Sequence, residues 1–231
     1  MSKLLPELPS VQASLSTRRK EEFLCLRRAI LSGNRLGNGT NNDLSFLISL
    51  TRCRNLEVLR LEDNHFPGVL PNLIANLSTK LQTLALGRNQ ISGVIPSGIV
   101  NLVNLAHLSM EENLFTGTIP FSIGKLYKLQ RLHLYGNMLS GPVPNSIGNI
   151  FDLYELRLQD NYLTGSIPSG FKNFKGLKLL DLSGNRLNGT ISGEVIGSSP
   201  YLIYLNLSHN SFSGSLPFEV GNLKNLEVFD V

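Results

Sequence analysis

The chain has 231 residues, of which 42% are hydrophobic, 21 are Gly and 11 are Pro, a composition that predicts a folded protein with many turns. Its formal net charge is +4, but residues 1 to 31 carry six basic and three acidic side chains, and the rest of the chain carries fifteen basic and fourteen acidic ones. The repeats therefore have no excess of basic residues to neutralise phosphates, and a nucleic-acid partner is not indicated. Cys25 and Cys53 are too few for a disulfide framework or a metal site, and no run of about 18 apolar residues predicts a membrane-spanning helix.

Residues 1 to 30 show no repeat and are predicted to form a separate head. The first 20 or so mix Pro, Ser and charge without periodicity, which predicts disorder or a segment foreign to the fold, and they lack the apolar stretch of a secretory signal peptide. From Arg19 to Leu31, however, Phe23, Leu26 and Ile30 recur at helical spacing. This spacing predicts a short amphipathic helix that lies over the open end of the following structure.

A 24-residue period dominates the chain from residue 31 to residue 231. Near-copies of the stretch from Leu129 to Asp152 recur before and after it, and each reads LxxLxLxxNxφxGxφP, where φ is apolar. Successive units open at Leu56, Leu81, Leu105, Leu129, Leu153, Leu177, Leu202 and Leu226. This period and pattern are typical of leucine-rich repeats. We therefore predict one elongated array with one repeat that carries an insertion, seven full repeats and one truncated repeat.

The first repeat is longer than the others. Leu31 occupies the sixth column of the pattern, and the next sixth-column residue, Leu61, follows 30 residues later instead of 24, which indicates a six-residue insertion. Asp43 is predicted to cap a helix in the added length. That helix would direct three leucines inward: Leu44, Leu47 and Leu50.

Within each repeat, the segment xxLxLxx alternates apolar and polar residues as a short strand does. Columns four and six then point inward, and columns three, five and seven point outward. Strands one repeat apart stack in parallel, so the sequence predicts an α/β leucine-rich-repeat solenoid with a curved parallel sheet on its concave face.

Four further columns have structural roles. The ninth is always Asn, whose amide can satisfy backbone groups beside the sheet; this structural ladder comprises Asn64, Asn89, Asn113, Asn137, Asn161, Asn185 and Asn210. The thirteenth is always Gly, as expected for positive φ, and an apolar-Pro pair follows as an extended corner. Ser192 breaks the Pro column and its repeat is one residue longer, which predicts a local irregularity there.

The outward columns of three central repeats hold the candidate ligand-binding site. Aromatic and Arg side chains often anchor partners, and these columns present His107, Arg131, His133, Tyr135, Glu155, Arg157 and Gln159. A second interpretation remains open. Arg131 with Glu155, and Arg157 with Asp181, would form exposed cross-strand ion pairs that each stabilise the fold by only about 0–1 kcal/mol.

No catalytic residue, metal site or cofactor is predicted. The four histidines lie in different repeats and columns without metal-ligand spacing, and no G-x-S-x-G elbow is present. Four N-x-S/T sequons are candidate glycosylation sites if the chain is secreted: Asn38, Asn76, Asn188 and Asn206. Asn206 falls in column five, so its glycan would project from the concave face and confine a ligand to the N-terminal side.

The pattern LxxLxLxxNxLxGxIPxxIgxLxxL resembles the plant-specific class of leucine-rich repeats found in receptor-like kinases and receptor-like proteins. The segments NRLGNGTNNDLSFLISLTRCRNLEVL and GVLPNLIANLSTKLQTLALGRNQISGVIPSGIVNLVNL resemble the ectodomain of the immune subfamily that includes the EF-Tu receptor and the rice bacterial-blight resistance receptor. The resemblance implies a secreted, glycosylated ectodomain at the plasma membrane, linked to a transmembrane helix and a cytoplasmic Ser/Thr kinase. It also implies a peptide or protein ligand and a co-receptor kinase.

The chain lacks the kinase motifs HRD and DFG and the paired cap cysteines of this family, and Val231 ends it within a strand. We therefore expect a non-enzymatic fragment of a receptor that acts in defence or signal perception. The alternative is a stand-alone interaction protein, either an intracellular scaffold or a protein like the polygalacturonase inhibitors. Those inhibitors share the 24-residue pattern but carry a signal peptide and cap cysteines, and the long first repeat favours the receptor.

Overall fold

The computed structural model describes residues 26–37, 39–40 and 43–231. In this part of the chain the backbone forms a leucine-rich-repeat solenoid in which a typical turn contributes one strand to each of two parallel sheets and one short helix. The predicted fold class is therefore confirmed.

Two parallel sheets run along the solenoid. The strands, numbered in chain order, are β1 (Arg28–Ile30), β2 (Val58–Arg60), β3 (Pro67–Val69), β4 (Thr83–Ala85), β5 (Gln90–Val94), β6 (His107–Ser109), β7 (Leu114–Gly117), β8 (Arg131–His133), β9 (Met138–Pro142), β10 (Glu155–Arg157), β11 (Tyr162–Gly165), β12 (Leu179–Asp181), β13 (Arg186–Thr190), β14 (Tyr204–Asn206), β15 (Ser211–Ser213) and β16 (Val228–Asp230). The concave sheet has the order β1-β2-β4-β6-β8-β10-β12-β14-β16. The second sheet, which we call the flank sheet, has the order β15-β13-β11-β9-β7-β5-β3.

Short helices cover the side opposite the concave sheet. The 3-10 helices are Asp43–Ser45, Asn72–Asn76, Ser97–Asn101, Phe121–Lys125, Asn145–Asn149, Ser169–Asn173 and Phe218–Asn222, and the α-helices are α1 (Phe46–Leu50) and α2 (Gly193–Ile196). Pro144 shows how the regular ones begin: its extended backbone (φ −64°, ψ 128°) directly precedes a 3-10 helix. Where Ser192 replaces this Pro, α2 forms instead, so the predicted irregularity is present.

The inserted first repeat has a helical segment in its added length, as predicted. Its 3-10 turn continues directly into α1, and Leu44, Leu47 and Leu50 are all buried. The carboxylate of Asp43, the first residue of this segment, accepts hydrogen bonds from the backbone N–H of Gly39 (3.1 Å) and from the hydroxyl of Thr40 (2.8 Å).

The core lies between the two sheets and the helices. Leu129, Leu132 and Leu134 hold the first, fourth and sixth columns of one repeat and are all buried. Leu132 is in register with Leu108 and Leu156 on the neighbouring strands, so each leucine packs between its equivalents. Burying such a side chain stabilises the fold by about 1.5–3 kcal/mol, and one repeated column therefore supports the whole array.

The ninth-column amides connect successive turns. The Nδ2 group of Asn137 donates to the carbonyls of Leu134 (3.0 Å) and Tyr135 (3.1 Å) in its own turn and of Met110 (3.1 Å) in the preceding one. Its Oδ1 atom accepts from the N–H of Phe115 at 3.0 Å. The same pattern, with distances near 3 Å, recurs at Asn64, Asn89, Asn113, Asn161, Asn185 and Asn210.

The structure near the N-terminus differs from the sequence prediction in two ways. The helix predicted from Arg19 to Leu31 is wrong over residues 28–30, which form β1, and residues 19–25 lie outside the described residues. Strand β1 pairs with β2, so the concave sheet starts before residue 31, where the array was expected to begin. Cys53 is a fully buried free thiol, and burial raises its pKa.

Candidate ligand-binding surface

The strand register places the predicted ligand-binding residues side by side. Arg131 on β8 lies between His107 on β6 and Glu155 on β10, and His133 lies next to Arg157. Column seven, just past the ends of β8 and β10, adds Tyr135 and Gln159. We call the resulting group the central patch: His107, Arg131, His133, Tyr135, Glu155, Arg157 and Gln159.

Glu155 is the electrostatic centre of this patch. The Nε atom of Arg157 donates to its Oε1 atom at 2.7 Å, the Nε atom of Arg131 lies 3.4 Å from Oε2, and the Nε2 atom of His133 lies 3.1 Å from Oε1. Burial raises the pKa of Glu155, but the hydrogen bond from Arg157 and the surrounding positive charges outweigh it, so this pKa is lower than usual. Glu155 is therefore ionised at neutral pH.

One of the two expected cross-strand ion pairs forms. Arg131 pairs with Glu155, as predicted. The expected pair between Arg157 and Asp181 is wrong, although the two residues are in register. Asp181 instead accepts hydrogen bonds from the hydroxyl (2.7 Å) and N–H (3.1 Å) of Ser183, whereas the longer Glu155 reaches Arg157 on its own strand.

The two histidines of the patch are neutral at pH 7. Burial lowers the pKa of His107 and that of His133, and the nearby Glu155 offsets this only in part. Despite lying 3.1 Å from Oε1 of Glu155, the buried Nε2 atom of His133 has no hydrogen-bond partner among the described residues. The guanidinium carbon of Arg131 also lies 5.1 Å from the ring centre of Tyr154.

A depression that shares His107, Arg131 and His133 with the patch was not predicted. Strand β4 presents Thr83 and Ala85 outward and is followed by Gly87 in column seven, whereas the strands on either side carry larger residues. The resulting β4 trough has a volume of about 350 Å³. It is lined by Arg28, Val58, Arg60, Glu62, Thr83, Ala85, Arg88, His107, Ser109, Glu111, Arg131 and His133. The sequence could have indicated this depression, because Thr83, Ala85 and Gly87 place three small residues in successive outward columns of the segment QTLALGRN.

Two buried carboxyl groups flank this trough. Glu62 and Glu111 are each only 6% exposed. The Nε atom of Arg60 donates to Oε1 of Glu62 at 2.6 Å. In the part of the chain that the structure describes, the Oε2 atoms of Glu62 and Glu111 are buried and have no hydrogen-bond partner. Burial raises the pKa of Glu111, and interactions with its own backbone, Ser109 and Arg88 offset this only partly.

The sequons occupy different surfaces. Asn76 ends a 3-10 helix and Asn188 lies in β13, and both are exposed, whereas Asn38 lies outside the described residues. Asn206 is half-buried in β14 on the concave sheet. Its Oδ1 atom accepts hydrogen bonds from the N–H (3.0 Å) and hydroxyl (2.7 Å) of Ser208, the third residue of its own sequon.

Neither a metal site nor a membrane span appears in the part of the structure that is described. Among residues 26–37, 39–40 and 43–231, no group of three or more His, Cys, Asp or Glu side chains is arranged to hold a metal ion. None of the helices within these ranges has the length and hydropathy needed to cross a bilayer.

Similar proteins share both the repeat and the fold. The LRR receptor-like serine/threonine-protein kinase EFR of Arabidopsis thaliana is 47% identical over 81 residues, which are 35% of this chain and 8% of that protein. The receptor kinase-like protein Xa21 of Oryza sativa subsp. japonica is 50% identical over 66 residues, which are 29% of this chain and 6% of that protein. The matched segments thus span less than a tenth of these relatives.

Solved structures match over most of this chain. The plant peptide hormone receptor RGFR1, in complex with RGF2, aligns with a TM-score of 0.82 and 33% identity over 89% of this chain and 32% of its own. The Arabidopsis receptor kinase HAESA, in complex with the peptide hormone IDA and the co-receptor SERK1, aligns with a TM-score of 0.76 and 34% identity over 88% of this chain and 37% of its own.

The leucine rich repeat family matches residues 54–115, 79–139 and 152–212, which together exceed half of the chain. These two sequence relatives and two structural neighbours are plant receptors of the kind that the repeat pattern indicated. The chain belongs to the leucine-rich-repeat family and is similar to the ectodomains of plant receptor kinases.

Proposed function

We propose that this chain is part of the extracellular ectodomain of a plant receptor-like kinase and that its concave sheet binds a peptide or protein ligand in defence or signal perception. The observation that carries the proposal is the alignment over 89% of the chain with a receptor in complex with its peptide hormone. A co-receptor kinase is the expected second partner, since a neighbour of similar fold is in complex with one. The kinase activity named in the relatives is assigned to segments outside the array.

The central patch is the proposed ligand contact. It combines two Arg side chains, two neutral imidazoles and Tyr135 around one carboxylate, Glu155. Side chains of these types can donate hydrogen bonds, stack on rings and neutralise an acidic group of a ligand. The patch therefore suits a polypeptide with mixed chemistry better than it suits a purely apolar partner.

The test is peptide selection on the protein secreted from plant cells. Peptides selected from a displayed library should bind a variant with Arg131→Ala, Tyr135→Ala and Arg157→Ala at least about tenfold more weakly, because buried aromatic and Arg contacts are each worth about 2 kcal/mol or more. A matched control removes Lys125, Tyr127 and Lys128, which are exposed outside the concave sheet. Unchanged peptide affinity in the concave-face variant would reject the proposed contact.

Secretion would also make the sequons available. We propose glycans at Asn38, Asn76, Asn188 and Asn206, of which the last would project from the concave sheet and confine the ligand to the N-terminal side of β14. Support comes from the position of Asn206 in an outward column of that sheet. Peptide mapping of protein secreted from plant cells measures the occupancy of each site, and an unmodified Asn206 would remove the proposed boundary.

A further inference from the structure

The β4 trough contains two buried acceptor atoms that the described protein leaves unused. Glu62 and Glu111 hold column seven of repeats two strands apart, with Gly87 in the same column between them. At about 4.8 Å per strand, their backbones lie roughly 10 Å apart, and the carboxyl group of Glu111 lies over Gly87, between them.

Leaving such atoms unpaired is costly. A buried acceptor without a hydrogen bond destabilises a fold by about 1–3 kcal/mol, and more when it is charged, so native structures contain few of them. Among the described residues, the Oε2 atoms of Glu62 and Glu111 both lack a partner, and both residues line the same depression. Two such atoms at one depression indicate a binding partner that supplies donors.

Gly87 makes room for the carboxyl group of Glu111 just past the end of β4. A Cβ atom built on Gly87 would overlap the carboxyl group of Glu111, so any other residue would push this side chain away. The small outward residues Thr83 and Ala85 continue the floor toward the start of β4. The floor is thus shaped by the small size of the outward residues of one repeat.

The distribution of charge selects the sign of the partner. Three of the four arginines that line the trough already pair with carboxylates: Arg60 with Glu62, Arg88 with Asp63 and Arg131 with Glu155. The fourth, Arg28, has no ion-pair partner among the described residues, but it lies on β1, three strands away from β6, which Glu111 follows. Glu111 forms no ion pair with any described residue, and burial raises its pKa. The Glu111 end of the trough therefore favours a cation.

We propose that the β4 trough is a subsite for an arginine side chain of the ligand, whose guanidinium group donates hydrogen bonds to Oε2 of Glu111 and Oε2 of Glu62. A guanidinium group has five N–H donors in a planar fork and can bridge two carboxyl groups, which a compact ammonium group does less well. The identification of the donor as part of a peptide rests on the proposed function.

The first test uses Nα-acetyl-arginine amide as the probe, with the neutral analogue Nα-acetyl-citrulline amide and the ammonium analogue Nα-acetyl-lysine amide for comparison. Carbon-13 spectra of the full chain, labelled at its glutamate carboxyl carbons, should show a saturable shift of the Glu111 signal with the arginine probe. Glu111→Gln and Glu62→Gln should each weaken binding at least about tenfold, because each removes a hydrogen bond between charged groups. Glu112→Gln, at an exposed carboxylate next in sequence, is the matched control.

The outcomes separate the subsite from the proposed function. Absence of a saturable shift, equal binding of citrulline or equal binding of lysine would overturn the arginine subsite. If the binding of selected peptides is weakened by substitutions in the central patch but not by Glu62→Gln or Glu111→Gln, the subsite is wrong and the proposed function stands. If the arginine probe binds in the trough but no peptide depends on the patch, the subsite stands and the proposed ligand contact is wrong. Gly87→Ala should abolish binding of the probe, and a thermal melt by circular dichroism establishes that each variant is folded.

Discussion

The asparagine side chain of column nine satisfies four backbone groups at once. Its amide donates to two carbonyls of its own turn and one of the preceding turn, and its oxygen accepts an N–H from that preceding turn. Both the position and the role of this residue could be predicted from the sequence, because an invariant amide beside a strand has few other uses in a repeat. The choice of partners by charged residues such as Glu155 could not be predicted, because it depends on side-chain conformation.

Asn137→Ala should destabilise the chain by about 1–3 kcal/mol, because it leaves buried backbone groups unpaired. Urea unfolding followed by circular dichroism measures the loss. Asn101→Ala is the matched control, since Asn101 is exposed at the end of a 3-10 helix. Equal stability of the two variants would contradict the role assigned to the ladder.

Glu111→Gln should stabilise the unliganded chain at pH 7 and have little effect near pH 4. The folded state raises the pKa of Glu111, so ionisation costs stability as the pH rises from the usual glutamate value through the raised one. Below that window the carboxyl group is protonated in both states and the penalty is absent. Melting temperatures across this pH range provide the measurement, and a gain that does not change with pH would show that burial of charge is not its cause.

The flank sheet was not predicted as an element. Its strands are three to five residues long. All except β15 contain the column-thirteen Gly, and β3 and β9 also contain a Pro, which normally argue against a strand. They pair because stacking of the repeats aligns them, which is a tertiary effect. The N-terminal error has a similar cause: apolar spacing favoured a helix over Arg19–Leu31, but pairing with β2 makes residues 28–30 a strand.

Gly141→Ala should destabilise the chain by about 1–2 kcal/mol more than Gly176→Ala, since left-handed backbone carries roughly that penalty for other residues. Gly141 has a φ of +75°, and a Cβ atom there would lie 2.9 Å from Cγ2 of Thr118. Gly176 has no atom within 4 Å of the same position. Thermal unfolding of both variants makes the comparison, and equal melting temperatures would show that the flank sheet tolerates a side chain at the end of β9.

Each turn of the solenoid contacts only its two neighbours. The destabilisation caused by a mutation should therefore be largest in the mutated turn and the turns next to it. This property follows from the 24-residue period alone, because residues one period apart are brought into contact. The β4 trough does not follow from the period, because it arises where one repeat departs from its neighbours in side-chain size. Recognition of a ligand therefore depends on the non-repeating columns, and folding depends on the repeating ones.

Leu132→Ala should open the array around β8 at a cost of about 2–5 kcal/mol, because it creates a cavity at a fully buried position. Hydrogen exchange followed by mass spectrometry should then show faster exchange at β8, β6 and β10, and progressively smaller changes toward β2 and β14. Arg131→Ala, on the outward face of the same strand, should leave the exchange pattern almost unchanged, since the Arg131 side chain is exposed and removing it creates no cavity in the core. A uniform increase along the solenoid would instead indicate that the described repeats unfold as a single unit, and nearest-neighbour coupling would no longer account for their stability.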